Sequence, residues 1–146
     1  MRIIRSLKPE QDLESVVTLW CNASIISHSF MPAKFWRDAC PLMREVYLPL
    51  ADTTVMTDNG QIIGFVSTIE HQIAALFVDP DHQGQGVGSA LLAHALAGQD
   101  IATLDVYAAN ASAQRFYERH GFRVAGEGVD DVTGAREYFM EYRADV

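Results

Sequence analysis

Glycines at 84, 86 and 88 run straight into Ser89-Ala90-Leu91-Leu92. Glycine weakens a helix by up to about 1 kcal/mol per site relative to alanine, so three at a helix entrance imply a close approach to the backbone. Three readings compete. A P-loop requires a lysine directly after its last glycine, and no lysine follows any glycine here. The dinucleotide fingerprint G-x-G-x-x-G finds Ser89 or Leu91 where its third glycine belongs, and the loop follows the fourth strand instead of opening a βαβ unit. The third reading is Gln83-x-x-Gly86-x-Gly88 between a strand and a helix. There the amides of residues 84–89 curl into a nest at the positive helix N-terminus. Such a nest binds a diphosphate without a side-chain cation, provided side chains leave room. A glycine-rich surface turn is the plain alternative.

A second constellation is Asn110 and Tyr117, in "LDVYAANASAQRFYERHGF". Seven residues of helix turn through about 700° and rise about 10 Å, so the two lie nearly on one face. Asn110 can cap the helix, and Tyr117 can serve as an amphipathic core residue; Phe116 and Phe122 are expected in the core. A phenol of ordinary pKa, about 10, is a neutral proton donor at pH 7.

These residues need elements to position them. Met1–Leu7 reads as a strand. Pro9 opens a helix with Leu13, Val16, Val17 and Trp20 on one face. A second helix runs from Pro32 to about Tyr47, and Pro41 should kink or divide it. Residues 53–57 and 62–67 flank Asn59-Gly60, a hairpin signal. A tight turn at Glu70-His71 leads to a strand over Ile73–Val78. The glycine loop and a helix over Gly86–Ala97 follow, ended by Gly98. Thr103–Tyr107 is a strand, and Asn110–His120 a helix closed by Gly121. Phe122–Ala125 and Glu137–Tyr142 are the last strands, around a turn from Gly128 to Gly134. The order β-α-α-β-β-β-α-β-α-β-β gives a mixed sheet with helices on both faces, an α+β or α/β domain over residues 1–146.

The 146 residues carry a net charge of -8 without a basic block. Nucleic acid and anionic membranes are therefore not expected as partners, and a cationic substrate suits the balance. MRIIRSLKPE lacks the apolar stretch of a signal peptide, and no apolar run is long enough to span a membrane. A cytoplasmic protein is expected. Cys21 and Cys40 are expected as buried free thiols; two thiols alone make no zinc site, and no metal is expected.

Gln83-Gly84-Gln85-Gly86-Val87-Gly88, then Asn110-x-x-Ala113-x-x-Phe116-Tyr117, then Gly121-Phe122, resemble the GNAT superfamily of N-acetyltransferases. The element order fits over essentially the whole chain. "SHSFMPAKFWRDACPLMREVYL" further resembles a group of small stand-alone bacterial members, the YiaC-like proteins, some of which acetylate protein lysines. The resemblance implies an α+β sandwich with a mostly antiparallel sheet, acetyl-CoA as co-substrate and an amine acceptor on a protein, peptide or small molecule. It further implies that the amides of Gln83, Gly84, Gln85, Gly86, Val87, Gly88 and Ser89 hold the CoA pyrophosphate. Leu76, Phe77 and Val78 would pair with the pantetheine arm, and Asn110 would bond it from the opposing strand. The Val78 amide would face the thioester oxygen. Tyr117 would protonate the leaving thiolate.

The attacking amine must first lose a proton. Glu70, at the turn into the central strand, and His28, in the loop where the acceptor would enter, are the candidate bases; a water chain would serve instead. His71 and His82 are expected in turns, His94 on a helix surface and His120 as a helix C-terminal charge. Of Phe30, Trp36 and Tyr47 at least two are expected in the core. Glu127, Asp130 and Asp131 at the final hairpin could attract a cation. A monomer or homodimer is expected. The competing reading is a non-catalytic acyl-CoA-binding module on the same fold, though binding a pyrophosphate needs neither Tyr117 nor Asn110.

Overall fold

The computed structural model describes residues 1–145. The order is β1 (Arg2–Ser6), α1 (Pro9–Ser27), α2 (Ala33–Leu42), α3 (Leu48–Leu50), β2 (Asp52–Asp58), β3 (Gln61–Ile69), β4 (Gln72–Val78), α4 (Val87–Leu96), β5 (Ile101–Tyr107), α5 (Ala111–Arg119), β6 (Phe122–Val129) and β7 (Arg136–Arg143). All seven strands share one sheet, ordered β1-β2-β3-β4-β5-β7-β6. Every pairing is antiparallel except β4 with β5.

Local chemistry accounts for the boundaries. Pro9 starts α1, where its missing N–H costs nothing. The Arg5 guanidinium grips buried Asp12 at 2.6 and 3.1 Å, tying β1 to the first turn of α1. Asn59 and Gly60 both have positive φ, 52° and 85°, as a tight hairpin of this hand requires. Pro41 does not divide the second helix as expected. The helix runs through it and then widens to a π-helical turn over Met43–Tyr47 before α3; a wider turn accommodates a ladder that lacks one donor. The strand β6 reaches Val129 instead of stopping at Ala125, because a bulge at Ala125 takes up one residue and pairing resumes at Gly126.

One core lies between the sheet and α4 and α5, around Ile63, Leu91, Leu92, Leu104, Phe122 and Met140. The other lies under α1 and α2, around Val16, Val17, Val55 and Phe65. Cys21 is buried there, its thiol pushed up to about 11 chiefly by burial. Cys40 is only half-buried, and both are free.

The feature that positions the site is a failure of pairing. The two parallel strands β4 and β5 meet at Gln72 opposite Thr103, where the Thr103 N–H also donates to the His71 carbonyl at 3.0 Å. No ladder joins them beyond that point, so the sheet opens toward Val78 and Tyr107. A bulge at Ala74, between the pairs Thr68–Ile73 and Ser67–Ala75, lies beside the opening.

Candidate active site

The opening is a cleft of about 1170 Å³ that runs from the Gly84–Ser89 loop past β4, β5 and α5 to the end of α1. At the loop end, Gly84 and Gly86 have φ of 76° and 81°, the left-handed region that favours glycine. A Cβ on either would meet no protein atom within 4 Å, so the space they face is open. Gly88 differs from them: its φ is not positive, and a Cβ there would make ordinary van der Waals contact with the Phe116 ring, at 3.4 Å. No backbone carbonyl among the described residues accepts the N–H of any residue from Gly84 to Ser89. These orphan donors gather at the N-terminus of α4, the arrangement that holds an anion. The Arg2 guanidinium braces the loop by donating to the Gln85 carbonyl at 3.1 Å. His120 is more than a terminal charge, since its Nε2 lies 3.1 Å from Ser89 Oγ. The sequence reading missed both braces, because nothing in the spacing of Arg2 or His120 points to the loop. It also missed Arg115 and Arg119, which line the cleft beside Asn110 and Tyr117.

The strand β4 offers a backbone edge. The Asp79 N–H donates to the Ile63 carbonyl at 2.8 Å. By the alternation of an antiparallel pair, Phe77 then also bonds to β3, and Leu76 and Val78 turn their N–H and C=O groups to the cleft. Of the three residues expected to meet the pantetheine arm, Leu76 and Val78 thus offer backbone to the cleft, while the Phe77 backbone bonds to β3 and its ring lines the cleft.

Across the opening, Asn110 caps α5 by accepting the Ala113 N–H at 3.2 Å, and its amide nitrogen lies 3.5 Å from His28 Nε2. Tyr117 is half-buried against Phe122 and Phe116, at ring separations of 5.5 and 5.3 Å. It lines the cleft, and burial pushes its phenol well above the ordinary range, which keeps the proton on at neutral pH. Phe116 is half-buried against the core and Phe122 fully buried.

His28 is not a surface residue. It is 9% exposed, and its ring stands 5.0 Å from Tyr107, 5.2 Å from Trp36 and 6.3 Å from Phe77. It therefore spans the gap between β4 and β5. Burial lowers its pKa to about 4, so the imidazole is neutral. Glu70 goes elsewhere: it is exposed on the β3–β4 turn at φ 54°, outside the cleft lining. His82 lies in a 3₁₀ turn with Nδ1 2.8 Å from Asp79, and His71 and His94 are exposed, as expected. Trp36 alone of its trio is buried; Phe30 is 37% and Tyr47 50% exposed.

The final hairpin also differs from expectation. Asp130 lines the cleft but is fully engaged, accepting from Tyr107 at 2.6 Å and Thr133 at 2.9 Å. Glu127 pairs with Arg136 at 3.4 Å, and Asp131 is exposed outside the cleft. The carboxyls that face the cleft unpaired are Asp105 and Glu137. Among the described residues no group of three or more His, Cys, Asp or Glu is placed to hold a metal, and no helix is long and apolar enough to cross a membrane.

A mixed sheet split beside a loop of free amides makes an α+β sandwich with an anion-binding end to its cleft. Residues 49–124 match the acetyltransferase (GNAT) domain, and the chain belongs to that family as an acetyl-CoA-dependent N-acetyltransferase. It is 33% identical over 132 residues to the peptidyl-lysine N-acetyltransferase YiaC of Escherichia coli K12, covering 90% of each chain. The solution structure of apo-form YjaB from Escherichia coli matches at a TM-score of 0.85 and 32% identity over 97% of each chain. The PaiA N-acetyltransferase of Thermoplasma acidophilum, solved in complex with coenzyme A, shares the fold at a TM-score of 0.80 and 19% identity.

Proposed function

We propose that this enzyme acetylates a primary amine of the kind a lysine side chain presents, by direct attack, with Tyr117 as general acid. Acetyl-CoA supplies an already activated acetyl thioester. The observation that carries the reading is the continuity of one cleft from the orphan amides of Gly84–Ser89, along the free edge of Leu76 and Val78, to the Tyr117 hydroxyl. The amides would hold the pyrophosphate, the strand edge the pantetheine arm, and the Val78 N–H is the donor available to a carbonyl oxygen that gains charge. The cap uses only the Asn110 amide oxygen, and the amide nitrogen, 3.5 Å from His28 Nε2, has a second N–H with which to bond the arm from α5.

Tyr117 suits the acid role because a phenol is a neutral donor at pH 7 and its hydroxyl has no hydrogen-bond partner among the described residues to compete with a leaving sulfur. A positioned acid contributes about 10²- to 10⁴-fold. His28 does not suit the base role: a conjugate acid of pKa about 4 surrenders its proton too readily to take one from an ammonium at neutral pH. Glu70 is on the wrong side of the turn. The lysine preference is supported by the match to a peptidyl-lysine acetyltransferase over 90% of the chain. The two free thiols agree with a cytoplasmic setting.

The test is the initial rate of CoA release from acetyl-CoA with lysine peptides, N-terminal-amine peptides and spermidine. Amine-dependent release that is fastest with a lysine peptide is expected. Release with none of the panel would overturn the reading.

A further inference from the structure

We propose that Arg115 and Arg119 hold the ribose 3′-phosphate of CoA and make the enzyme prefer CoA to dephospho-CoA; this rests on the placing of the pyrophosphate at the Gly84–Ser89 loop. CoA carries a phosphate monoester on its ribose besides the pyrophosphate. A monoester holds a charge of about -1.5 to -2 at pH 7. The segment from Gln83 to Ser89 contains no cationic side chain, so its amides have no ion pair to offer a further phosphate. A chain of net charge -8 also repels a polyanion at long range, and attraction has to be supplied locally.

The two arginines stand where that attraction is needed. The C-terminal half of α5 lies against the start of α4: Ser89 Oγ is 3.1 Å from His120 Nε2, and a Cβ on Gly88 would touch the Phe116 ring. Arg119 directly precedes His120, and Arg115 is one turn earlier on the same side of the helix. Both line the cleft together with Gly84, Gly86 and Ser89. Both are exposed, which leaves each guanidinium free to turn toward a ligand at the loop.

Their charges are uncommitted. Arg2, which braces the loop from β1, is already held by Asp58 at 3.6 Å and by the Gln85 carbonyl at 3.1 Å. Lys8, Arg37, Arg115, Arg119 and Arg123 form no ion pair among the described residues, and of these only Arg115 and Arg119 line the cleft. Like charges four residues apart on a helix repel each other. The negative end of the helix dipole favours Arg119 in the last turn, but Arg115 lies before that turn and gains little from it. A phosphate monoester between the two removes the repulsion and gives each the planar, two-pronged contact that arginine makes with phosphate. Side chains thus add recognition of a third phosphate at an end of the cleft otherwise built of backbone.

The test is calorimetry of CoA and dephospho-CoA on the full chain. Wild type should bind CoA about 10-fold or more tighter than dephospho-CoA. Arg115→Gln and Arg119→Gln should each remove part of that preference and the double variant all of it, with dephospho-CoA affinity unchanged throughout. Arg123→Gln, which deletes the same charge outside the cleft, should keep the wild-type preference. Equal binding of the two ligands by wild type, a preference that survives in the double variant, or an equal loss in Arg123→Gln would overturn the proposal. Gly86→Glu separates this site from the placing on which it rests, because it should weaken CoA and dephospho-CoA alike. A preference abolished in the double variant, with Gly86→Glu binding both ligands as wild type does, would uphold the arginines and sink the pyrophosphate placing instead.

Discussion

The two ends of the cleft are built from different materials. The end proposed for the donor consists of backbone: unpaired amides of Gly84–Ser89 and the free edge of Leu76 and Val78. The opposite end, proposed for the acceptor, consists of side chains, with His28 from the segment after α1, Asp105 and Tyr107 from β5 and Glu137 from β7. A backbone site tolerates changes of side chain except where a Cβ intrudes or φ must be positive. A side-chain site loses one contact with each substitution. Tyr117 lines the cleft between the two ends, and the proposed acid role would serve both.

That contrast predicts effects of different size and kind. Tyr117→Phe keeps the ring and removes only the hydroxyl. Its single-turnover rate should fall by about 10²- to 10⁴-fold with acetyl-CoA affinity little changed, because the proton matters in the transition state. A wild-type rate would reduce Tyr117 to a packing residue. Gly86→Glu should weaken acetyl-CoA by about 100-fold or more, as seen by calorimetry on a variant whose circular dichroism remains native. Here a side chain and a negative charge enter the nest, and a residue other than glycine must hold φ 81°.

The acceptor end should be sensitive to pH in a way the donor end is not. Unfolded His28 takes up a proton near pH 6.5, whereas in the fold it resists protonation down to about 4. Between those values the unfolded state binds more protons, so this residue lowers stability as pH falls. The loss is about 2 kcal/mol by pH 5 relative to pH 7. His28→Asn should remove that part of the slope in urea unfolding compared at the two pH values; an unaltered slope would mean that His28 titrates freely. The smallest effect is expected at Asn110, whose cap lies between the ends. Asn110→Ala should cost about 1 kcal/mol of stability through the lost Ala113 bond, read as a lowered Tm.

The same contrast explains what the sequence made legible. Gly84 and Gly86 could be read because a nest needs glycine at fixed offsets, and Asn110 and Tyr117 because helical periodicity puts them on one face. The hairpin at Asn59-Gly60 and the ends at Gly98 and Gly121 were legible for similar local reasons, and the positive φ at each bears this out. Gly88 fitted the same motif, but neither its φ nor the space beside it calls for glycine. The acceptor end had no such signature. Asp105 and Glu137 are brought together by cross-strand register, and Asp130, nearer the hairpin tip, drew attention although Tyr107 already holds it. His28 was placed in the loop where the acceptor would enter, but its burial comes from Trp36, Phe77 and Tyr107, three separate segments that the sequence does not bring together. Glu70 lay close to the right strand in sequence, but the turn at φ 54° carries it outside the cleft.

The claim that the donor is held by backbone is tested most directly by amide ¹H–¹⁵N spectra of the wild-type chain titrated with acetyl-CoA. The largest shifts are expected at the amides of Gly84–Ser89, Leu76 and Val78, with Phe77, whose N–H is held by β3, moving less and the Asn59-Gly60 hairpin unmoved. Saturable binding that leaves the Gly84–Ser89, Leu76 and Val78 amides in place would contradict the account, because the donor would then lie outside the opened edge of β4.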